Sequence, residues 1–220
     1  MDYKKTWDYQ EELFALMMSA VAGQSDQPAK AGTLLFVEHP PVYTLGKSGS
    51  ADNLLVNEAF LRSKGASFYQ INRGGDITYH GPGQLVAYPI FNLGVFHLGV
   101  REYVNKLEEV VINCLQKYGV SAGRLDGASG VWLDAAIREK SRKICAVGVR
   151  ASRGITMHGF AFNVNTDLSY YNWINPCGFT DRGVTSLEKE MGHKIDFEQL
   201  KTDVKHSFEM VFGLDTYTLS

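Results

Sequence analysis

At 220 residues the chain is long enough for one well-buried core, since domains usually run about 100–200 residues, and a single domain over 1–220 is expected. Hydrophobic residues at 45% and charged residues at 21% are ordinary globular values that exclude a disordered or fibrous chain. Twenty-two Lys and Arg against 24 Asp and Glu give a formal charge of −2, without the basic excess that phosphate neutralisation demands, so no nucleic-acid partner is expected.

The start, Met1-Asp2-Tyr3-Lys4-Lys5, carries no apolar run of signal type, and no stretch reaches about 18 consecutive apolar residues. The expectation is a soluble, cytoplasmic protein with no membrane partner. Cys114, Cys145 and Cys177 are an odd number without CxxC spacing, which argues against a disulfide framework and a cysteine zinc site. No metal and no cofactor are expected.

Trp7, Leu13, Phe14, Met17, Met18 and Val21 have the spacing of an amphipathic helix that ends before the polar stretch Gly23 to Lys30. Leu34 to Val37 and Val42 to Leu45 read as strands separated by a turn at His39-Pro40-Pro41. Asn57 to Lys64 predicts a brief helix closed by Gly65. Ser67 to Asn72 reads as a strand entering a glycine-rich loop, and Leu85 to Phe91 as the strand that leaves it. From Val100, apolar residues through Tyr118 repeat at three and four and stop at Gly119, which predicts the clearest helix of the chain. Gly130 to Leu133, Lys143 to Val149 and Ile155 to Val164 predict adjacent antiparallel strands. Asp196 is a good N-cap for a last helix with Phe197, Leu200, Val204, Phe208 and Val211 on its apolar stripe and Gly213 at its end. Helices and strands cluster without βαβ alternation, so the fold class expected is α+β.

Two segments carry candidate chemistry. Arg73-Gly74-Gly75-Asp76-Ile77-Thr78-Tyr79-His80-Gly81-Pro82-Gly83-Gln84 holds four glycines, which let a backbone approach a ligand and leave amides free to bind it. No Gly-Lys-Ser/Thr follows, so it is not a P-loop. Cys177, between Pro176 and Gly178, sits in a turn-like segment where a thiol is accessible, whereas Cys114 and Cys145 fall on core positions of a helix and a strand. Only the thiolate is a strong nucleophile. Lys143, read as lying on the polar side at the start of a strand, would favour the thiolate if close to it. His80 and His158 are alternative bases.

Taken together these segments resemble the lipoyl(octanoyl) transferases, the LipB family of octanoyl-acyl carrier protein:protein N-octanoyltransferases. The resemblance runs through Glu38 to Gly46, Arg73 to Gln84, Lys143 to Gly148, His158 to Asn163 and Pro176-Cys177-Gly178, in that order. It implies an α+β fold related to biotin and lipoate protein ligases, with a mixed or antiparallel sheet and flanking helices. It also implies roles: Cys177 as the acyl-thioester nucleophile and Lys143 as the lysine that lowers its pKa. Arg73, Gly74, Gly75, Asp76, Ile77, Thr78, Tyr79 and His80, then Ala146, Val147 and Gly148, then Gly159, Phe160 and Ala161, fall on segments that line the acyl substrate.

The donor so implied is octanoyl-acyl carrier protein. The acceptors are lysines on lipoyl domains of 2-oxoacid dehydrogenase E2 subunits and on the glycine cleavage H protein. Because those partners are expected to be acidic, Arg142, Lys143, Arg150 and Arg153 are read as their docking surface. The proton from the attacking amine could go to Lys143 or His80. Rival readings are an ATP-dependent ligase of the same fold, a silent carrier-protein binding module and a generic thiol hydrolase.

Overall fold

The computed structural model describes residues 1–24, 31–176 and 182–214. In chain order, α1 (Tyr3–Val21) precedes β1 (Gly32–Val37), β2 (Val42–Leu45), α2 (Glu58–Ser63), β3 (Ser67–Gln70), β4 (Ile77–His80) and β5 (Gln84–Phe91). There follow α3 (Val100–Lys117), β6 (Gly123–Leu125), β7 (Ala128–Leu133), β8 (Arg142–Ser152) and β9 (Ile155–Asn163). The last elements are β10 (Gly183–Val184), α4 (Leu187–Met191) and α5 (Phe197–Phe212).

Local chemistry explains the helix ends. Asp2 caps α1 by accepting from Lys5 N at 2.9 Å, Asn57 caps α2 through Phe60 N at 2.9 Å, and Asp196 caps α5 through Glu198 N and Gln199 N. Gly213 ends α5 at φ 63°, in the left-handed region where glycine carries no Cβ penalty.

The larger sheet has the order β1-β5-β9-β8-β7-β6, all antiparallel, with β10 joined in parallel to the start of β8. In the smaller sheet, β2 is paired in parallel with β3 and antiparallel with β4. β7, β8 and β9 are the neighbouring antiparallel strands that the sequence predicts. The expected mixed, mainly antiparallel α+β architecture is therefore present. α3 and α5 cover one face of the larger sheet over a core of Phe91, Leu107, Val111, Cys145, Phe160 and Phe208. α1 covers part of the other face, where Phe14 meets Val86, Met157 and Ala161. β9 is buried along its whole length because both its faces are covered. Among the described residues no helix is long and apolar enough to cross a membrane.

β1 and β2 are separated at His39-Pro40-Pro41, as expected, and enter different sheets, β1 beside β5 and β2 between β3 and β4. One sequence reading changes. The segment Arg73 to Gln84 is not wholly loop, because Ile77 to His80 is β4 and pairs with all four residues of β2. Isoleucine, threonine and tyrosine favour strands, and the glycines on either side obscured that preference.

Candidate active site

The site is built on a patch of small side chains. Antiparallel register sets Ala146 opposite Ala161 and Gly148 opposite Gly159, and Val86 of β5 lies beside Ala161. The opposite face of the same strands carries Cys145, Val147, Phe160 and Phe162 into the main core. Over the small patch passes the loop from Arg73. Gly74 N donates to Val149 O at 2.9 Å, and a Cβ on Gly148 would lie 3.0 Å from Gly74 O and 3.2 Å from Arg73 Cδ. Glycine at 148 therefore lets the loop close down on the strand.

Between loop and sheet lies a cavity of about 500 Å³, within the range of small-molecule sites. Arg73, Gly74, Gly75, Asp76, Ile77, Thr78 and His80 line it from above, and Ala146, Val147, Gly148, Gly159, Phe160 and Ala161 from below. Tyr79 is not among them. Successive strand residues face opposite ways, and the Tyr79 ring stacks on Tyr170 at 4.7 Å and packs against Tyr43, away from the cavity.

Lys143 lines the cavity, 9% exposed, contrary to its reading as a residue of the polar strand face. Its placement depends on a register shift: Val131 pairs with Cys145 but Trp132 pairs with Lys143, so one extra residue is accommodated in β8. Ile144 and Cys145 both enter the main core as a result. Lys143 is thereby turned to the side of Ala146 and Gly148. Its Nζ donates to Ser129 O at 3.1 Å and lies 4.7 Å from the centre of the Trp132 ring. Cys177 lies outside the described residues. Pro176 before it, and Arg182 and Gly183 after it, line the cavity.

Several of the residues that line the cavity are buried polar groups, Arg73, His80, His158 and Asn163 among them. Arg73 donates to Thr44 O at 2.7 Å, Thr44 Oγ1 at 3.0 Å and Gly74 O at 2.9 Å. Gln84 Nε2 donates to Asn163 Oδ1 at 2.9 Å and Tyr79 O at 3.1 Å, which leaves Gln84 Oε1 to accept from His80 Nδ1 at 2.9 Å. Burial, followed by the nearby His39, pulls the His80 pKa down to about 3, against the opposing effect of the Gln84 bond.

His158 is fixed by a longer chain. Arg150 pairs with Glu11 at 3.0 Å, Asn72 Nδ2 donates to Glu11 Oε1 at 2.7 Å, and Asn72 Oδ1 accepts from His158 Nε2 at 2.8 Å. The proton is thus on Nε2, and Nδ1 has no hydrogen-bond partner among the described residues. Burial, then the Arg73 charge, lowers this pKa to about 3. His158 also has φ 60°, rare for a side-chain-bearing residue, and its N–H leaves the ladder for Gln10 Oε1 at 3.0 Å. Pro89 lies beside this stretch and has no N–H to give; a Cβ on the adjacent Gly159 would be 2.6 Å from Pro89 Cδ.

The basic residues read as one docking surface are dispersed. Arg142 pairs with Glu190 at 2.6 Å and with Asp134, Lys143 is buried, and Arg150 is held by Glu11 against the Phe14 ring. Arg142 and Arg150 stand eight positions apart on one strand, about 26 Å at a rise of about 3.3 Å per residue. Sequence reading also passed over Thr44, Asn72, Gln84 and Glu11 as supports of the site. Each is an ordinary polar residue locally, and its role arises from contacts with chain 29 or more positions away, which for Gln84 are joined by the nearby His80 and Tyr79.

Comparison with known proteins places these features in context. Residues 2–209 match the family described as lipoyl protein ligase A/B catalytic domain. An octanoyltransferase of Parabacteroides distasonis is 50% identical over 211 residues, covering 96% of this chain and 94% of that protein. An octanoyltransferase of Bacteroides fragilis is 54% identical over 200 residues, covering 90% and 88%. Among solved structures, a bipartite lipoate protein ligase of Thermoplasma acidophilum superposes with a TM-score of 0.69 at 16% identity, covering 94% of this chain and 81% of that one. That likeness concerns the fold alone.

Proposed function

The chain belongs to the lipoyl protein ligase A/B catalytic domain family, and from that membership we propose that it is an octanoyltransferase acting through a Cys177 thioester. The donor is octanoyl-acyl carrier protein and the acceptor is a lysine of a lipoyl domain. The observation that carries this reading is the cavity over Ala146, Gly148, Gly159 and Ala161, which Lys143 lines together with Pro176 and Arg182, the residues on either side of the Cys177 segment. The names of the relatives at 50% and 54% identity support the acyl group.

Dimensions support it as well. From Lys143 to Gly148 the strand advances about 16 Å at about 3.3 Å per residue, and the bulge shortens this somewhat. An extended eight-carbon chain, with bonds of about 1.5 Å, is about 9 Å long. The tail therefore fits lengthwise, and burying about six methylenes at about 0.8 kcal/mol each contributes on the order of 5 kcal/mol of binding.

The proton balance closes on one lysine. Cys177 thiolate attacks the thioester carbon, the carbon–sulfur bond to the carrier breaks, and the Lys143 ammonium gives its proton to the departing thiol. The neutral acceptor amine then attacks the acyl-enzyme. Lys143, now neutral, takes the proton released as the amide forms, and the Cys177 thiolate leaves. Thiolate and ammonium are restored, and because the acyl group stays at the thioester level until the amide forms, no ATP is needed. His80 is the weaker choice of base, because a conjugate acid of pKa about 3 cannot hold a proton drawn from an amine.

Mass spectrometry after incubation with octanoyl-acyl carrier protein and no ATP tests the reading. An octanoyl adduct on the Cys177 peptide, discharged on addition of a lipoyl domain, is the expected result. Transfer that needs ATP and leaves Cys177 unmodified would show an adenylate ligase instead.

A further inference from the structure

The peptide link between Ser129 and Gly130 is bonded to side chains at both poles. Its N–H donates to Glu108 Oε1 at 2.8 Å, and its C=O accepts from Lys143 Nζ at 3.1 Å. Glu108 projects from α3 and is 4% exposed; its second oxygen accepts from Arg124 Nε at 3.0 Å. The rest of that helix face is mostly apolar, with Tyr103, Leu107, Val110, Val111 and Cys114 buried beside it. A carboxylate set there is costly unless fully hydrogen-bonded.

Local backbone geometry makes the peptide available. The β7–β8 ladder stops at Val131 with Cys145, so the link between residues 129 and 130 lies beyond the last strand pair. Gly130 has φ 126°, and a Cβ there would run into the Cys145 carbonyl oxygen and lie 3.4 Å from Lys143 Cε. In a trans peptide the N–H and C=O point in opposite directions. A carboxylate at one pole therefore polarises the carbonyl at the other and strengthens its bond to an ammonium.

We propose that Glu108 is a positioning residue which, through the Ser129–Gly130 peptide, holds the Lys143 ammonium at the wall of the cavity. The consequence for catalysis rests on the role given above to Lys143; the structural coupling does not. Other charged or titratable groups surround this path. Arg124 is shared between Glu108 and Glu109, Cys145 lies behind on β8, and the Arg182 guanidinium is 5.9 Å from the centre of the Trp132 ring.

The test has two readouts on the full chain. In ¹⁵N spectra of the lysine ammonium groups, Lys143 Nζ should show slow hydrogen exchange that is kept in Glu108→Gln, which retains an acceptor, and lost in Glu108→Ala. Should Glu108→Ala not fold, Glu108→Met fills the volume without an acceptor and carries the same expectation. In acyl transfer, Glu108→Ala should lower kcat by on the order of tenfold with little change in KM, Glu108→Gln should restore most of it, and neither should matter further in a Lys143→Ala background. An unchanged Lys143 signal in Glu108→Ala or Glu108→Met overturns the coupling, whatever the activity. Loss of the signal with kcat unaffected upholds the coupling and overturns the role of Lys143 in the reaction.

Discussion

The approach of β5 to β9 allows one substitution to be worked through from the geometry. In Gly159→Ala the added Cβ would lie 2.6 Å from Pro89 Cδ and nearer still to the Ala87 carbonyl oxygen. Comfortable carbon contacts begin at about 3.5 Å, so one strand must retreat by about 1 Å. Neither has an easy way to do so. β9 is buried along its length, and His158 next to Gly159 already sits at φ 60°. Overpacking of this kind costs about 1–3 kcal/mol, and contact with a rigid ring and a backbone carbonyl places Gly159→Ala at the upper end. For a chain of this length about 3 kcal/mol corresponds to a fall in Tm of about 6–12 °C. Gly148→Ala is the control, because its Cβ would meet a loop carbonyl at 3.0 Å and the loop can rise by a few tenths of an ångström. Thermal melts by circular dichroism measure both. Acyl-transfer rates well below Tm should then show Gly159→Ala losing activity beyond its unfolded fraction, since Ala161 and His158 move with the strand. A Gly159→Ala protein that melts within 2 °C of the parent, or below Gly148→Ala in its effect, would refute this reasoning.

Two further outcomes follow from the buried polar groups. Lys143→Ala should move the pH midpoint of Cys177 alkylation up toward the ordinary thiol value of about 8.5; quantitative labelling with iodoacetamide across pH checks this, and an unmoved midpoint removes Lys143 from thiol activation. His39, His80 and His158 have pKa values lowered to about 4, 3 and 3, chiefly by burial. Each stays neutral in the folded chain while its unfolded counterpart takes a proton below about 6.5. Their contribution to stability is thus complete above that pH and is lost as the pH falls toward 4 and then 3. Each contributes a slope of up to about 1.4 kcal/mol per pH unit. Urea unfolding at pH 6.5, 5.5 and 4.5 should show the fall, and His39→Gln should flatten it by about one proton; an equal slope in His39→Gln contradicts the assignment.

Much of the fold is legible in the sequence because its signals are local. The apolar stripe of α3, the Asp196 cap and Gly213 stop of α5, and the β-rich stretches that became β7, β8 and β9 each depend on residues within a turn or two of one another. Ile77 to His80 shows where such reading fails. Its strand character was outweighed by surrounding glycines, and only the partner strand Val42 to Leu45, more than thirty positions earlier, makes it β4.

For the site, residue types and motif order singled out Arg73 to His80, Lys143 and Cys177, and the family to which the chain belongs was recognisable from those segments. Which way the side chains face was decided by pairing. A one-residue shift between β7 and β8 turns Lys143 into the cavity, strand alternation turns Tyr79 out of it, and Pro89 beside β9 accompanies the unusual backbone that aims His158. The same holds for Glu108, an unremarked acid on a helix until folding sets it behind the Ser129–Gly130 peptide. Sequence patterns record what a residue is and its neighbours along the chain. Register, sheet partner and the far pole of a peptide bond depend on contacts across the fold, and these placed the chemistry.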